Sequence, residues 1–315
     1  MERKKFRFEI LLEMLFGNFG KIVLTNLIFA VPSTAIMALF YFISMAAFGN
    51  ANIVFCLLSI ILIYPFYAGV VKVMRNIVRG DEEIPVFQTY LSGVKDNFWL
   101  FLLHGVFISF VSIVSFLSIN LYINFVSKSW IFGALLFFSI IVVIFVYFAS
   151  LYIPLMTVTF DLPIRYIYKN SFLMSYGEIK NNFFASFALL ILIGIIMTIM
   201  FVAGSPLWLL IIVIALWVLI LPATYTFIYV FYIYDAMFKM VSGEGKQKAE
   251  KAAKQETDKP KAPVVESDDL ASIDISKLKD SDDYIFFNGK MVKQSTLLKM
   301  AREKEQSSGE VKEHE

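Results

Sequence analysis

Charge and apolarity alternate along this chain over tens of residues, not over helical turns. Four windows, residues 22–71, 97–127, 129–160 and 181–234, contain no Asp, Glu, Lys or Arg. They are 50, 31, 32 and 54 residues long, more than half of a 315-residue chain. A helix crosses the hydrocarbon core of a bilayer with about 20 apolar residues. The outer two windows each hold two spans and a turn, and the inner two hold one span each. The pattern predicts an all-α polytopic membrane protein with six transmembrane helices at 22–46, 52–74, 98–125, 130–158, 183–203 and 207–234. The connecting turns are short: Gly49-Asn50, Ser127-Lys128-Ser129 and Gly204-Ser205-Pro206.

A second, finer pattern precedes the spans. Ile84, Phe87, Leu91 and Val94 recur at a spacing of three to four, as do Ile164, Ile167, Tyr168 and Phe172. Such stripes predict amphipathic helices lying on the membrane face, and residues 6–16 fit the same role. From about residue 243 the chain turns polar. Residues 240–283 predict a disordered charged linker. Residues 284–306 carry apolar runs flanking Asn288-Gly289, a strong hairpin signal, and then a short helical stretch. Residues 307–315 predict a disordered end. The expected organisation is an N-terminal interfacial segment at 1–21, a six-helix transmembrane domain at 22–239, and this largely disordered cytoplasmic tail.

Composition agrees with the windows. Hydrophobic residues make up 58% and charged residues 17%, against about 45–50% and about 25% in soluble domains. The net charge of +2 hides an asymmetry: residues 1–239 carry 14 Lys/Arg and 10 Asp/Glu, residues 240–315 carry 14 and 16. The basic excess belongs to the span flanks and gives no argument for nucleic acid. Thirteen of those cations flank one set of span ends, and Lys128 stands alone on the other. By the positive-inside rule both termini are expected in the cytoplasm. The single cysteine, Cys56, sits in an apolar run and has no intrachain partner for a disulfide. The apolar stretch after the basic N-terminus is interrupted by Glu9 and Glu13, so no cleaved leader is expected.

An internal repeat is visible. Asn18-Phe19, Asn97-Phe98 and Asn182-Phe183 each stand where a hairpin enters the membrane, and Pro65, Pro154 and Pro222 each fall in a hairpin's second helix. Three parallel hairpins are the expected architecture. Lys72, Arg75 and Arg79 share one helical face and are candidates for a lipid or phosphate contact, beside the plainer reading of snorkelling cations. His104 and Asn26 are candidates for an intramembrane polar site, since ionisable or polar groups at that depth mark function. A neutral His104 bonded to a neighbour is the plainer alternative. Phe286, Phe287, Asn288 and Gly289 are the candidate partner motif. No metal cluster, nucleotide loop or catalytic constellation is present in the sequence, so neither a catalytic site nor a cofactor is expected.

Thr25-Asn26-Leu27-Ile28-Phe29-Ala30-Val31-Pro32-Ser33-Thr34, with Val78-Arg79-Gly80, Phe87, Tyr90, Lys95, Asn97, Phe98 and Phe160-Asp161-Leu162-Pro163-Ile164-Arg165, resembles the YesL-like bacterial integral membrane proteins. That family is a domain of unknown function, and the resemblance spans roughly residues 12–235. It implies a link to carbohydrate utilisation. Two functions follow as expectations. The first is a non-enzymatic accessory or scaffold protein beside a carbohydrate ABC transporter, in contact with the lipid bilayer and recruiting a membrane or cytoplasmic partner through its tail. The second is a small permease or lipid-handling protein. The oligomeric state is left open by the sequence.

Overall fold

In the computed structural model the described residues are 5–81, 83–202, 206–242, 281, 284–287 and 290–310. The chain divides into two units, residues 1–158 with 163–235, and residues 159–162 with 236–315. Among the described residues of the apolar part run ten helices: α1 Arg7–Gly17, α2 Phe19–Phe48, α3 Ile53–Leu57, α4 Ser59–Arg79, α5 Val86–Phe125, α6 Trp130–Thr159, α7 Ile164–Gly177, α8 Ile179–Val202, α9 Pro206–Leu219 and α10 Leu221–Val241. Among the described residues five stretches are long and apolar enough to cross a membrane: α2, α3 with α4, α5, α6 and Ile179–Thr198. Ile211–Leu219 and Leu221–Val241 make a sixth if the pair, bent by 50°, is one span. The chain is a membrane-embedded protein.

Local chemistry sets the ends of the first pair. Gly49, at φ 68°, closes α2 in the left-handed conformation that glycine adopts without cost. Asn52 then caps α3, its Oδ1 accepting from the amides of Val54 and Phe55. Ser44 braces the turn between them, donating to the Asn50 carbonyl at 3.0 Å and accepting from the Asn52 amide at 2.8 Å. Gly80, at φ 85°, ends α4 in the same way as Gly49 ends α2.

α4 and α5 form the tightest helix pair. A Cβ added to Gly69 would stand 2.6 Å from the Tyr90 ring, and one on Gly93 would stand 2.9 Å from the Gly69 Cα. Gly105 approaches the Ile61 backbone as closely. Small residues bring two backbones together here, as packing without a hydrophobic driving force requires. α1 is tied down by Arg7, which donates to Asn181 Oδ1 at 3.0 Å and to the Phe231 and Tyr232 carbonyls at 3.3 and 2.9 Å.

One expectation is corrected. The amphipathic stretch at 84–94 is not a separate interfacial helix, because α5 runs unbroken for 40 residues. Nothing in Ser92–Asn97 stops it: Asn97 turns its amide onto the Gly93 carbonyl at 2.9 Å, inside the helix. By contrast α1 and α2 part at Asn18, and α7 and α8 part at Glu178, as expected of interfacial helices feeding spans. The hairpin prolines also differ from one another. Pro65 and Pro154 lie inside continuous helices, and only Pro222 stands beside a break.

In the second unit β1 (Tyr284–Phe287) pairs antiparallel with β2 (Lys290–Lys293), and α11 (Gln294–Glu310) follows. The predicted turn residues Asn288 and Gly289 lie outside the described residues, and nothing is described of the Phe286 side chain. Phe160 forms a parallel bridge with Met291, and the Asp161 amide donates to the Met291 carbonyl at 3.3 Å. The Phe160 ring, 1% exposed, lies 6.0 Å from Phe238 and 6.3 Å from Tyr284. Leu297, Leu298 and Ala301 bury the inner face of α11.

Candidate functional site: an apolar cavity at a broken helix

The break between α9 and α10 is built by two residues far apart in sequence. Pro222 has no N–H, so the Val218 carbonyl four residues earlier loses its helical partner. Asn26 on α2 replaces it. Its Nδ2 donates to the Trp217 and Val218 carbonyls, both at 2.8 Å, and its Oδ1 accepts from the Ala223 amide at 2.8 Å. Asn26 is fully buried, and all of this amide's chemistry goes into holding the two halves of the bent span. Thr226 donates back to the Pro222 carbonyl at 2.7 Å.

Beside this break lies a cavity of about 670 Å³, lined from α2 to α10 by residues that include Phe29, Tyr64, Tyr67, Leu192, Trp217 and Pro222. Ligand pockets commonly fall between about 300 and 1,000 Å³. No charged side chain is among the lining residues; their polar groups are hydroxyls of Ser and Tyr, the Cys56 thiol and the Trp217 indole. The Tyr67 hydroxyl hydrogen-bonds with Thr226 at 2.9 Å and Tyr229 at 3.2 Å. This wall suits an apolar occupant, not an ion or a sugar.

His104 occupies a separate cluster. It is fully buried, with Nε2 at 2.9 Å from Thr157 Oγ1 and Nδ1 at 3.0 Å from the Tyr168 hydroxyl. Thr157 spends its proton on the Ile153 carbonyl at 2.8 Å. Nε2 therefore donates to Thr157, and Nδ1 accepts from Tyr168, which defines one tautomer of a neutral ring. Burial pushes the Tyr168 hydroxyl up to about 12, so it stays a donor at physiological pH. The arrangement is that of a structural histidine pinning α7 to α5 and α6.

The three cations of α4 are not gathered around one site. Arg75 is 1% exposed and donates to the Val158 carbonyl at 2.7 Å, where a guanidinium offsets the negative end of α6. Lys72 pairs with Asp96 at 3.0 Å, and Arg79 with Asp81 at 2.6 Å. The entrance asparagines share a local job. Asn18 and Asn97 each bond the carbonyl four residues back, and Asn182 donates to the Met174 and Ser175 carbonyls while accepting from Tyr152 at 2.6 Å. Phe19, Phe98 and Phe183 beside them are exposed, as lipid-facing rings would be. Among the described residues no group of three His, Cys, Asp or Glu stands where it would hold a metal.

Sequence reading named Asn26 and His104 but not their uses. Trp217 and Thr157 went unnoticed, and Tyr168 entered only as a member of an amphipathic stripe.

Residues 22–121 match a protein family described as "Protein of unknown function, DUF624". It is a bacterial membrane-protein family. The match covers about a third of the chain, and holds Asn26, Arg75, Asn97 and His104 but not Pro222, Thr157 or Tyr168. No curated protein and no solved structure matches.

Proposed function

We propose that this chain is a non-enzymatic protein of the bacterial plasma membrane, six spans in three hairpins with both termini cytoplasmic, whose bundle binds a lipid-like molecule. The observation that carries the reading is the uncharged cavity beside a proline-broken span. Discontinuous helices recur where membrane proteins hold ligands, because the break opens wall space between helices. A chargeless, mostly aliphatic and aromatic wall favours a hydrocarbon occupant over a solute. Mass spectrometry of lipids retained after extraction from native membrane tests this. One lipid class should be enriched over the surrounding membrane, and Ser150→Leu, which fills part of the wall, should reduce it. Lipids retained in membrane proportions by both proteins would sink the reading.

A second reading, an accessory protein beside a carbohydrate ABC transporter, draws support from the tail. In the described residues β1 and β2 make a small two-stranded sheet. Open strand edges take up partner strands by β-augmentation. Co-purification with and without residues 284–310 tests it: a partner lost on deletion supports recruitment, and an unchanged set of partners opposes it.

A further inference from the structure

Away from the cavity, a groove of about 560 Å³ runs between α5 and α7. Leu103, Val106 and Phe110 line it from α5, and Ile164, Arg165 and Tyr168 line it from the start of α7. Phe107 stands edge-on to the Tyr168 ring at 5.1 Å, and the Tyr168 hydroxyl is bonded to His104 at 3.0 Å. The joint that holds α7 to the bundle therefore sets the wall, so the groove is formed before anything occupies it. Leu103, Val106 and Phe110 are exposed, as side chains facing hydrocarbon are. Arg165 is the one charged residue in the wall. Among the described residues no carboxylate pairs with it and no acceptor takes its N–H groups. Arg7, Arg75 and Arg79 differ, each having a protein acceptor. Lys169, one helical turn beyond Arg165 on α7, is exposed and equally unpaired among the described residues.

Beyond the cavity reading and independent of it, we propose that this groove holds an anionic phospholipid, with one acyl chain along Leu103, Val106 and Phe110 and the phosphate on the Arg165 guanidinium. A planar guanidinium meets a phosphate through two parallel N–H···O bonds, each about twice as strong as a neutral one. The apolar wall selects a lipid over free phosphate, which would leave that wall uncovered. The charge selects a phospholipid over a plain hydrocarbon, which would cover Arg165 without pairing it. Lys169 favours a net negative headgroup over a zwitterionic one, whose own ammonium would approach two cations. The cavity wall holds no charged side chain, so the two sites select different molecules.

The full chain is placed in nanodiscs of phosphatidylcholine with a minor share of phosphatidylglycerol of identical acyl chains. Native mass spectrometry then counts the lipids that stay bound. Retained phosphatidylglycerol should be enriched about tenfold over its share of the bilayer, the worth of one charge-assisted contact. Arg165→Gln should cut that enrichment to within about threefold of the bilayer ratio. Val106→Trp, which fills the groove, should reduce it severalfold. Lys180→Gln, which removes an exposed cation at the start of α8, is the control and should leave it intact. Retention in bilayer proportions by the native chain overturns the proposal. So does a loss with Lys180→Gln as large as with Arg165→Gln, or an unchanged enrichment in Val106→Trp. Glycerol phosphate that displaces the lipid at the lipid's own concentration also overturns it, because the headgroup alone then suffices. An enrichment removed by Ser150→Leu and not by Arg165→Gln puts the lipid in the cavity, which overturns the groove and leaves the cavity reading standing. An enrichment that Ser150→Leu leaves unchanged supports the groove.

Discussion

Asn26 shows how much one side chain can determine. Three backbone groups, the Trp217 and Val218 carbonyls and the Ala223 amide, depend on it. Asn26→Leu orphans all three in a buried setting, and each unsatisfied group costs about 1–3 kcal/mol. Thermal unfolding in detergent should show a loss of several kcal/mol. Pro222→Ala returns an N–H to the helix, so Asn26→Leu should cost less in that background. A strictly additive double mutant would show that the proline is not what Asn26 answers. His104→Leu strands the Tyr168 hydroxyl and should cost about 1–3 kcal/mol in the same assay, whereas an unchanged midpoint would remove His104 from the packing of α7. At this scale the sequence named the right polar residues because a polar group among apolar ones is conspicuous. It did not name their partners: Arg75 meets Val158, and Asn26 meets Val218, only after helices far apart in sequence have packed.

Helices themselves were legible, since a charge-free run of span length admits little else in a bilayer. Their breaks were not. Pro222 sits at a bend and Pro65 does not, although both read alike in sequence. A bend persists where a neighbour such as Asn26 satisfies the freed groups, and that neighbour lies outside any local window. The stripe at 84–94 predicts a helix lying on the membrane face. Part of that stretch packs on α4 through Gly93 and Tyr90. The close approach makes a prediction. Gly69→Ala puts a methyl group against both the ring and the carbonyl of Tyr90, at 2.6 and 2.7 Å. Because a backbone atom cannot swing aside, α4 and α5 must separate, at a cost of about 1–3 kcal/mol or more. Gly20→Ala on α2, with nothing within 4 Å, is the control and should be neutral or stabilising by up to about 1 kcal/mol. Equal unfolding midpoints for the two would refute the tight packing.

Across the whole molecule, the tail is where sequence and structure differ most in meaning. The hairpin and helix at 284–306 were visible from Asn288-Gly289 and the apolar runs around it. The sequence makes Phe286, Phe287, Asn288 and Gly289 a candidate partner motif. In the structure Met291 pairs with Phe160 of the same chain, and the Asp161 amide is held by the Met291 carbonyl. Removal of residues 284–310 should therefore speed hydrogen exchange at Asp161 while leaving the amide of Ala223, held by Asn26, as slow as before. Protection at Asp161 that survives the truncation would mean the bridge contributes nothing. The unbroken length of α5 has a mechanical meaning. Forty residues reach about 60 Å, twice the roughly 30 Å thickness of a hydrocarbon core. Ile108 in the cavity wall and Val86 at the helix start are separated by about 33 Å with no joint between them. The helix is a lever: a 10° tilt imposed at the wall would carry the far end through about 6 Å.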